Sequence, residues 1–368
     1  MLNRPGRIIW IITASILIIS CSEKEKEQDS WHPAELNDGL QVSDPAEQGM
    51  DPAVIGNAYE EAADLDNIYS LLVLKNGYLV AEQYFNGQMA SDAQATASVT
   101  KSVVSALAGI ALEEGFLPST DKKLKDFFPE VDWDSTDPRK SEITVRHLLQ
   151  MRSGYLWEEV YGLIDTLRSS QDWIPFLESF LLVHDPGTAF GYSNFTAHIL
   201  GIIISRSADE SLRSFAQDHL FNDMGVSIRY WPADAAGHNY GSGDICLTPR
   251  SLAKFGQMYL DNGVWNNVRI LPAEWVDSSL QVWSPTTYGR EIFAHIHELK
   301  YGYLWWTGTS GDHEIWFAWG HGGQMVVLIR DLNMVVVATA SVPPGFDNSA
   351  WQNSKAVMEL VGRFIEKI

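Results

Sequence analysis

Residues 100–114 constrain the fold more than any other stretch of the chain. Val103, Val104, Leu107, Ile110, Ala111 and Leu112 spread apolar surface around most of a helical circumference, and Gly115 and Pro118 stop the run. A helix apolar on most sides has to be covered on most sides, which demands a large core around it. The chain can supply one, with 368 residues of which 45% are hydrophobic. The strand signals that could cover it lie at the two ends of the sequence. Segments 68–74 and 78–85 flank Lys75-Asn76-Gly77, a hairpin pattern. Segments 301–306, 315–319, 325–330 and 334–340 also read as strands, the last two joined by a tight turn at Asp331-Leu332-Asn333. Residues 116–245 carry helical patterns broken by Gly and Pro. Thr248-Pro249 opens a further helix, with Thr as cap and Pro at its first position, and a last helix spans 349–368. These segments predict an α+β fold: one antiparallel sheet built from both termini and flanked by helices, with an inserted helical lobe and a cleft where the two meet.

The N-terminus reads as an address rather than as part of that fold. Arg4 and Arg7 precede an uncharged, mostly apolar run over 8–19 that breaks at Ser20-Cys21. A basic start, a short apolar stretch and small residues at the break make a secretory signal over 1–20. Twelve residues are too few for a bilayer core, which needs about 20, although an uncleaved anchor could borrow flanking residues. Ile18-Ile19-Ser20-Cys21 resembles a bacterial lipobox, which would make Cys21 the lipidated first residue of an exported, envelope-anchored protein. Residues 21–44 are polar and read as a tether, leaving 45–368 as the folded domain. Loss of residues 1–20 leaves 24 Lys+Arg against 47 Asp+Glu, a charge of −23. Such a surface repels phosphate backbones and excludes nucleic acid as a partner. Two cysteines exclude a disulfide framework or a Cys-rich zinc site, and Cys246, in an apolar context, reads as a small buried hydrophobe.

The buried helix also carries the leading chemical signal. Ser98-Val99-Thr100-Lys101 stands at its start, and residues three apart on a helix are neighbours, so Lys101 can reach the Ser98 hydroxyl. A serine at a helix N-terminus sits in a positive local field, with its own N–H facing any developing oxyanion. Burial of the lysine favours its neutral, basic form. The pattern alone is weak: 32 serines and 12 lysines in 368 residues give about one S-x-x-K by chance, and the chain has three. Ser119–Lys122 lies in a polar loop and Ser251–Lys254 in the exposed-looking start of the helix after Pro249. Only Ser98 introduces a buried helix, either as a nucleophile or as a plain helix-start serine. Two more segments bear on this choice. The turn-rich Pro186-Gly187-Thr188-Ala189-Phe190-Gly191-Tyr192-Ser193-Asn194 can project Tyr192 and Asn194 into a cleft. Gly320-His321-Gly322-Gly323-Gln324 leads into an apolar strand, where glycines would let a substrate approach the strand edge.

Together these three segments resemble the S-x-x-K, Tyr/Ser-x-Asn and K-T-G set of penicillin-recognising serine enzymes. The chain is similar to the serine hydrolases related to class C β-lactamases, in the esterase and 6-aminohexanoate-oligomer hydrolase branch, over about residues 45–365. Further matching stretches are His147-Leu148-Leu149-Gln150-Met151-Arg152-Ser153-Gly154, Leu247-Thr248-Pro249-Arg250-Ser251-Leu252-Ala253-Lys254-Phe255-Gly256 and Tyr301-Gly302-Tyr303-Leu304-Trp305-Trp306. The resemblance implies a β-lactamase/transpeptidase-like fold and hydrolysis of a small ester or amide without metal or cofactor. It implies Ser98 as the acylated nucleophile, Lys101 and Tyr192 exchanging its proton, and Asn194 orienting the substrate. Gly323 belongs to the third motif, and the oxyanion hole would be the N–H groups of Ser98 and Gln324. The alternatives are a β-lactamase or D-alanyl peptidase, and a non-catalytic envelope binding protein, which would not need Ser98, Lys101 and Tyr192 together.

One position departs from the pattern. His321 stands where the third motif carries lysine, which removes a fixed cation for a substrate carboxylate and shifts weight toward uncharged esters and amides. The other candidates have plainer readings. His295, His297 and His313 lack an H-E-x-x-H context and read as surface histidines. No G-x-S-x-G elbow occurs, and Trp283, Trp305, Trp306, Trp316 and Trp319 read mainly as core. Arg250 reads as structural.

Overall fold

The strand segments at the two ends of the chain meet in one nine-stranded sheet. The first part contributes β1 (Gln41–Val42), β2 (Ile68–Lys75) and β3 (Tyr78–Tyr84). The last part contributes β4 (Ser284–Pro285), β5 (His297–Tyr301), β6 (Trp306–Ser310), β7 (His313–Gly320), β8 (Gln324–Ile329) and β9 (Met334–Ala340). Their order is β1-β3-β2-β9-β8-β7-β6-β5-β4, so the termini are joined at the β2–β9 seam, where Val73 faces Val336 and Leu71 faces Ala338. The structure is a computed structural model and describes residues 30–286, 295–343, 345 and 348–368. Asn76 and Gly77, both at positive φ (54° and 84°), make the two-residue turn that a right-twisted hairpin prefers. Every pairing is antiparallel except β1 with β3.

The helices cover this sheet and position the site. Helix α1 (Pro52–Ala63) packs on β2, and α2 (Val99–Glu113) packs on β7 and β8. Helix α3 (Asn194–Ala208), the long helix of the 116–245 lobe, lies against α2. Helix α4 (Pro249–Leu260) packs on β2, β8 and β9, and α5 (Asn348–Glu366) on β6, β9 and α1. All residues of β8 and β9 are buried, as expected of strands covered on both faces. Residues Val99 to Ala111 of α2 are buried without exception, between sheet and lobe. A Cβ at Gly109 would meet the Trp275 ring at 2.4 Å, so this glycine is the notch that admits Trp275, whose Nε1 donates to the Ser105 carbonyl.

Three expectations are corrected. The domain starts at Trp31, not at residue 45: Trp31 and Leu40 are buried, the Glu82 N–H donates to the Trp31 carbonyl at 2.8 Å, and β1 extends the sheet. The segment looks like a tether because its two apolar anchors are diluted by polar residues. The same segment covers α4, so Ser251 and Lys254 are buried rather than exposed, with Lys254 Nζ donating to the carbonyls of Asp38 and Met224. Residues 301–306 are not one strand. β5 ends at Tyr301, β6 begins at Trp306, and Leu304 turns the chain at φ 59°. Tertiary bonds override the aromatic β-propensity there, since Tyr303 N–H donates to Ser279 O and Leu304 N–H to Leu149 O.

Candidate active site

The turn that presents Ser98 is built from two non-glycine residues in the left-handed region. Ala97 has φ 45° and Asp244 has φ 69°, and the Asp244 N–H donates to the Ala97 carbonyl at 3.1 Å. Such a conformation costs about 1–2 kcal/mol for an L-residue. It is held by Thr100 Oγ1, which donates to the same carbonyl at 2.7 Å, and by close packing on β7. A Cβ at Gly320 would lie 2.4 Å from the Thr96 carbonyl, so the bare glycine is what lets the turn close on the strand.

Ser98 consequently occupies the N-cap of α2, yet its hydroxyl makes no capping bond. It faces Lys101 instead. Lys101 Nζ lies 2.8 Å from Ser98 Oγ, 2.8 Å from Asn194 Oδ1 and 2.6 Å from the Ser242 carbonyl, and the residue is 1% exposed. The two carbonyl oxygens can only accept, so they take two N–H groups. A neutral amine then directs its lone pair at the Ser98 O–H, and a protonated one directs its third N–H at the Ser98 oxygen. The arrangement therefore serves both proton states of a base without moving an atom heavier than hydrogen.

Tyr192 stands beside this amine, its ring centroid 4.9 Å from Lys101 Nζ and stacked on Trp306 at 5.8 Å. The Tyr192-Ser193-Asn194 run is fixed by the start of α3. Ser193 caps the helix, accepting from the Thr196 N–H at 3.0 Å, and donates to Glu158 at 3.0 Å. The Phe195 N–H donates to the same Glu158 oxygen, while Asn194 Nδ2 donates to Glu159 at 2.7 Å. Burial pushes the Glu158 carboxyl up to about 7, against the Phe195 and Ser193 donors, which pull it down. Beneath Ser242, the Gly241 N–H donates to His198 Nδ1 at 3.2 Å, so Nε2 carries the proton and faces Asp234 at 3.4 Å. Burial holds His198 below its ordinary pKa, against the pull of Asp234.

Ser98, Tyr192, Asn194 and His321 line one cavity of about 300 Å³, with Lys101 bonded to Ser98 behind that lining. Its walls include Trp173, Tyr240, Trp306, Trp319 and Trp351. Two of the five tryptophans weighed from sequence, Trp306 and Trp319, are thus wall residues. His321 Nε2 donates to the Gly345 carbonyl at 2.9 Å, and its ring meets Trp351 edge-on. The described residues that line the cavity do not include Gly323 or Gln324. This corrects the expectation that the glycines open the strand edge to substrate. A Cβ at Gly322 would strike the Ser341 carbonyl at 2.2 Å, and one at Gly323 would strike Val357 of α5 at 2.7 Å. Both glycines pack the β7–β8 turn on the protein, and the buried Gln324 amide exchanges two bonds with the Ala340 backbone.

Sequence reasoning missed Glu158, Glu159, Ser242 and His198. The adjacent acids in Trp157-Glu158-Glu159 were a usable signal, whereas Ser242 acts through its carbonyl and leaves no side-chain signature. Cys21 lies outside the described residues. Cys246 is half-buried, and burial raises its thiol pKa. His295 pairs with Glu366 and His313 with Asp331, and among the described residues no group of three or more His, Cys, Asp or Glu is placed to hold a metal ion.

The sequence pattern of the beta-lactamase family matches residues 69–358. The chain belongs to the beta-lactamase family. Among its relatives is the 6-aminohexanoate-dimer hydrolase of Paenarthrobacter ureafaciens, 26% identical over 295 residues, covering 74% of this chain and 72% of that one. A Bacillus anthracis protein assigned by name to the 6-aminohexanoate-dimer hydrolases superposes with a TM-score of 0.67 at 21% identity, covering 84% of this chain and 82% of the other. The octameric penicillin-binding protein homologue of Pyrococcus abyssi gives 0.62 at 20%, covering 85% and 77%. The fold is β-lactamase/transpeptidase-like, a mixed sheet with helices, and the family supports a hydrolase.

Proposed function

We propose that the protein is a serine hydrolase that cleaves small esters or amides through an acyl-enzyme on Ser98. The observation that carries this reading is the buried Lys101 amine 2.8 Å from the hydroxyl of Ser98, which lines an aromatic cavity. Neutral Lys101 takes the Ser98 proton as Oγ attacks the substrate carbonyl. The N–H group of Ser98, at the positive end of α2, receives the oxyanion. Collapse expels the alcohol or amine, which takes a proton passed through Lys101 and Tyr192. Water then repeats the sequence in reverse and frees Ser98. No step calls for a metal or cofactor.

Substrate choice follows from charge. His321 supplies no permanent cation, and Glu159 and Asp244 both line the cavity. A substrate carboxylate lacks a charge-assisted bond worth about 1.5–3 kcal/mol, or roughly one to two orders of magnitude in rate. Uncharged p-nitrophenyl esters are therefore expected to be turned over far faster than nitrocefin, with His321→Lys narrowing the gap. Equal kcat/KM on nitrocefin and a short-chain ester in the wild type would replace this reading with a β-lactamase.

The site of action is proposed from sequence alone: export and lipid anchoring at Cys21. Mass analysis of the mature N-terminus should find an acylated Cys21, and Cys21→Ala should accumulate uncleaved precursor. A mature terminus elsewhere, without an acyl mass, refutes the anchor.

A further inference from the structure

We infer that Glu159 is a positioning residue: it fixes which end of the Asn194 amide faces Lys101, and so aims the lysine at Ser98. The inference rests on the proposed function of Ser98 and Lys101. Four side chains form an unbroken line. Glu159 Oε1 accepts from Asn194 Nδ2 at 2.7 Å, Asn194 Oδ1 accepts from Lys101 Nζ at 2.8 Å, and Nζ lies 2.8 Å from Ser98 Oγ.

The direction of that line is decided at Glu159. An amide presents a donor and an acceptor of nearly equal shape, so sterics alone do not orient it. An ionised carboxylate can only accept, so it claims the Asn194 NH2 and leaves the oxygen for Lys101. The carboxylate is itself held, with its other oxygen accepting from Trp157 Nε1 at 3.3 Å, and the Trp157 ring meets the Tyr192 ring edge-on at 5.9 Å. Asn194 is buried at the first residue of α3, so its backbone offers no slack.

A flipped amide would change the chemistry at Nζ. Its N–H would point at the lysine, and a neutral amine would spend its lone pair on that N–H instead of on the Ser98 O–H. The base would stay in place and be aimed at the wrong proton. Glu159 lines the cavity without a bond to Ser98, and its effect on the aim of Lys101 runs through Asn194.

The test is the rate at which a fluorophosphonate labels Ser98. Glu159→Leu has the same bulk and no acceptor, and is expected to slow labelling roughly ten- to a hundredfold, the factor carried by a hydrogen bond to a charged group. Glu159→Gln keeps an oxygen for the Asn194 NH2 and is expected to stay within a few-fold of wild type. In an Asn194→Ala background, Glu159→Leu should add nothing, because there is no amide left to orient. Wild-type labelling in Glu159→Leu, equal losses in the Leu and Gln variants, or an undiminished loss in the Asn194→Ala background would each overturn the inference. A second pair serves if Glu159→Leu fails to fold. Asn194→Asp opposes two carboxylates and should slow labelling, and adding Glu159→Gln should restore it; no restoration overturns the inference. Failure of the wild type to label at Ser98 removes the proposed function itself, whereas the variant contrasts judge Glu159.

Discussion

Ser98→Ala is expected to lower ester turnover by about four to six orders of magnitude, as loss of a nucleophile does, with little change in the melting temperature. The two halves of that expectation have separate physical grounds. The kinetic half follows from the cavity-lining hydroxyl facing Lys101. The stability half follows from what the hydroxyl does not do. Removing a serine cap usually costs about 0.5–2 kcal/mol, but the Ser98 side chain makes no capping bond to α2. Lys101→Met should cost a comparable amount of activity, and the double variant should be no worse than either single one, because nucleophile and base act as a unit. Ser119→Ala and Ser251→Ala should keep most of the activity, since neither residue lines the cavity. Assays of p-nitrophenyl ester turnover alongside thermal melts decide all of these. A Ser98→Ala protein that keeps even a tenth of wild-type turnover contradicts the role.

The largest stability effect is expected far from that chemistry, at Arg250. Its guanidinium is buried against Glu82, itself 5% exposed, with Nε 2.8 Å from Oε2 and Nη2 on Oε1. Nη2 also donates to the Ala34 carbonyl, and Nη1 lies 3.3 Å from Asp38. Burial works against the Arg250 charge, but the Glu82 carboxylate outweighs it and holds the pKa above the ordinary arginine range. Arg250→Met would leave the Glu82 carboxylate buried beside an apolar chain. Breaking a buried pair in this way costs about 3–5 kcal/mol, which for a domain of this size lowers Tm by roughly 4–7 °C. The same network ties residues 31–42 to the sheet, so a chain beginning at residue 45 should melt below one beginning at residue 30. Unchanged melting in Arg250→Met would show that the pair is not holding that segment.

How much of this was readable from sequence depended on the range of the interaction. The hairpin turn at Asn76-Gly77, the buried helix behind Ser98 and the Ser98–Lys101 contact are local, and spacing alone predicts them. Tyr192 and Asn194 were placed by their motif, although the helix start that fixes them was not. Glu158 and Glu159 act across some 35 residues of chain on Ser193, Asn194 and Phe195, and Ser242 acts through a carbonyl that every residue possesses. Periodicity cannot report such contacts. The N-terminal segment failed for a related reason: its attachment rests on Trp31, Leu40 and a guanidinium more than 200 residues away. The 301–306 stretch looked like a strand because aromatic residues favour strands, but the carbonyls of Ser279 and Leu149 claimed its N–H groups. In the Gly322-Gly323 pair the glycines were noticed and their neighbours were not. The missing side chains make room for Ser341 and Val357 rather than for substrate.

The central claim is that Ser98 is the residue acylated during turnover. Incubating the wild-type protein with a fluorophosphonate, digesting it and sequencing the labelled peptide by mass spectrometry tests this most directly. The account predicts a single adduct, on Ser98, whose appearance parallels the loss of ester hydrolysis. An adduct on any other residue, or full loss of hydrolysis with Ser98 unmodified, would contradict it.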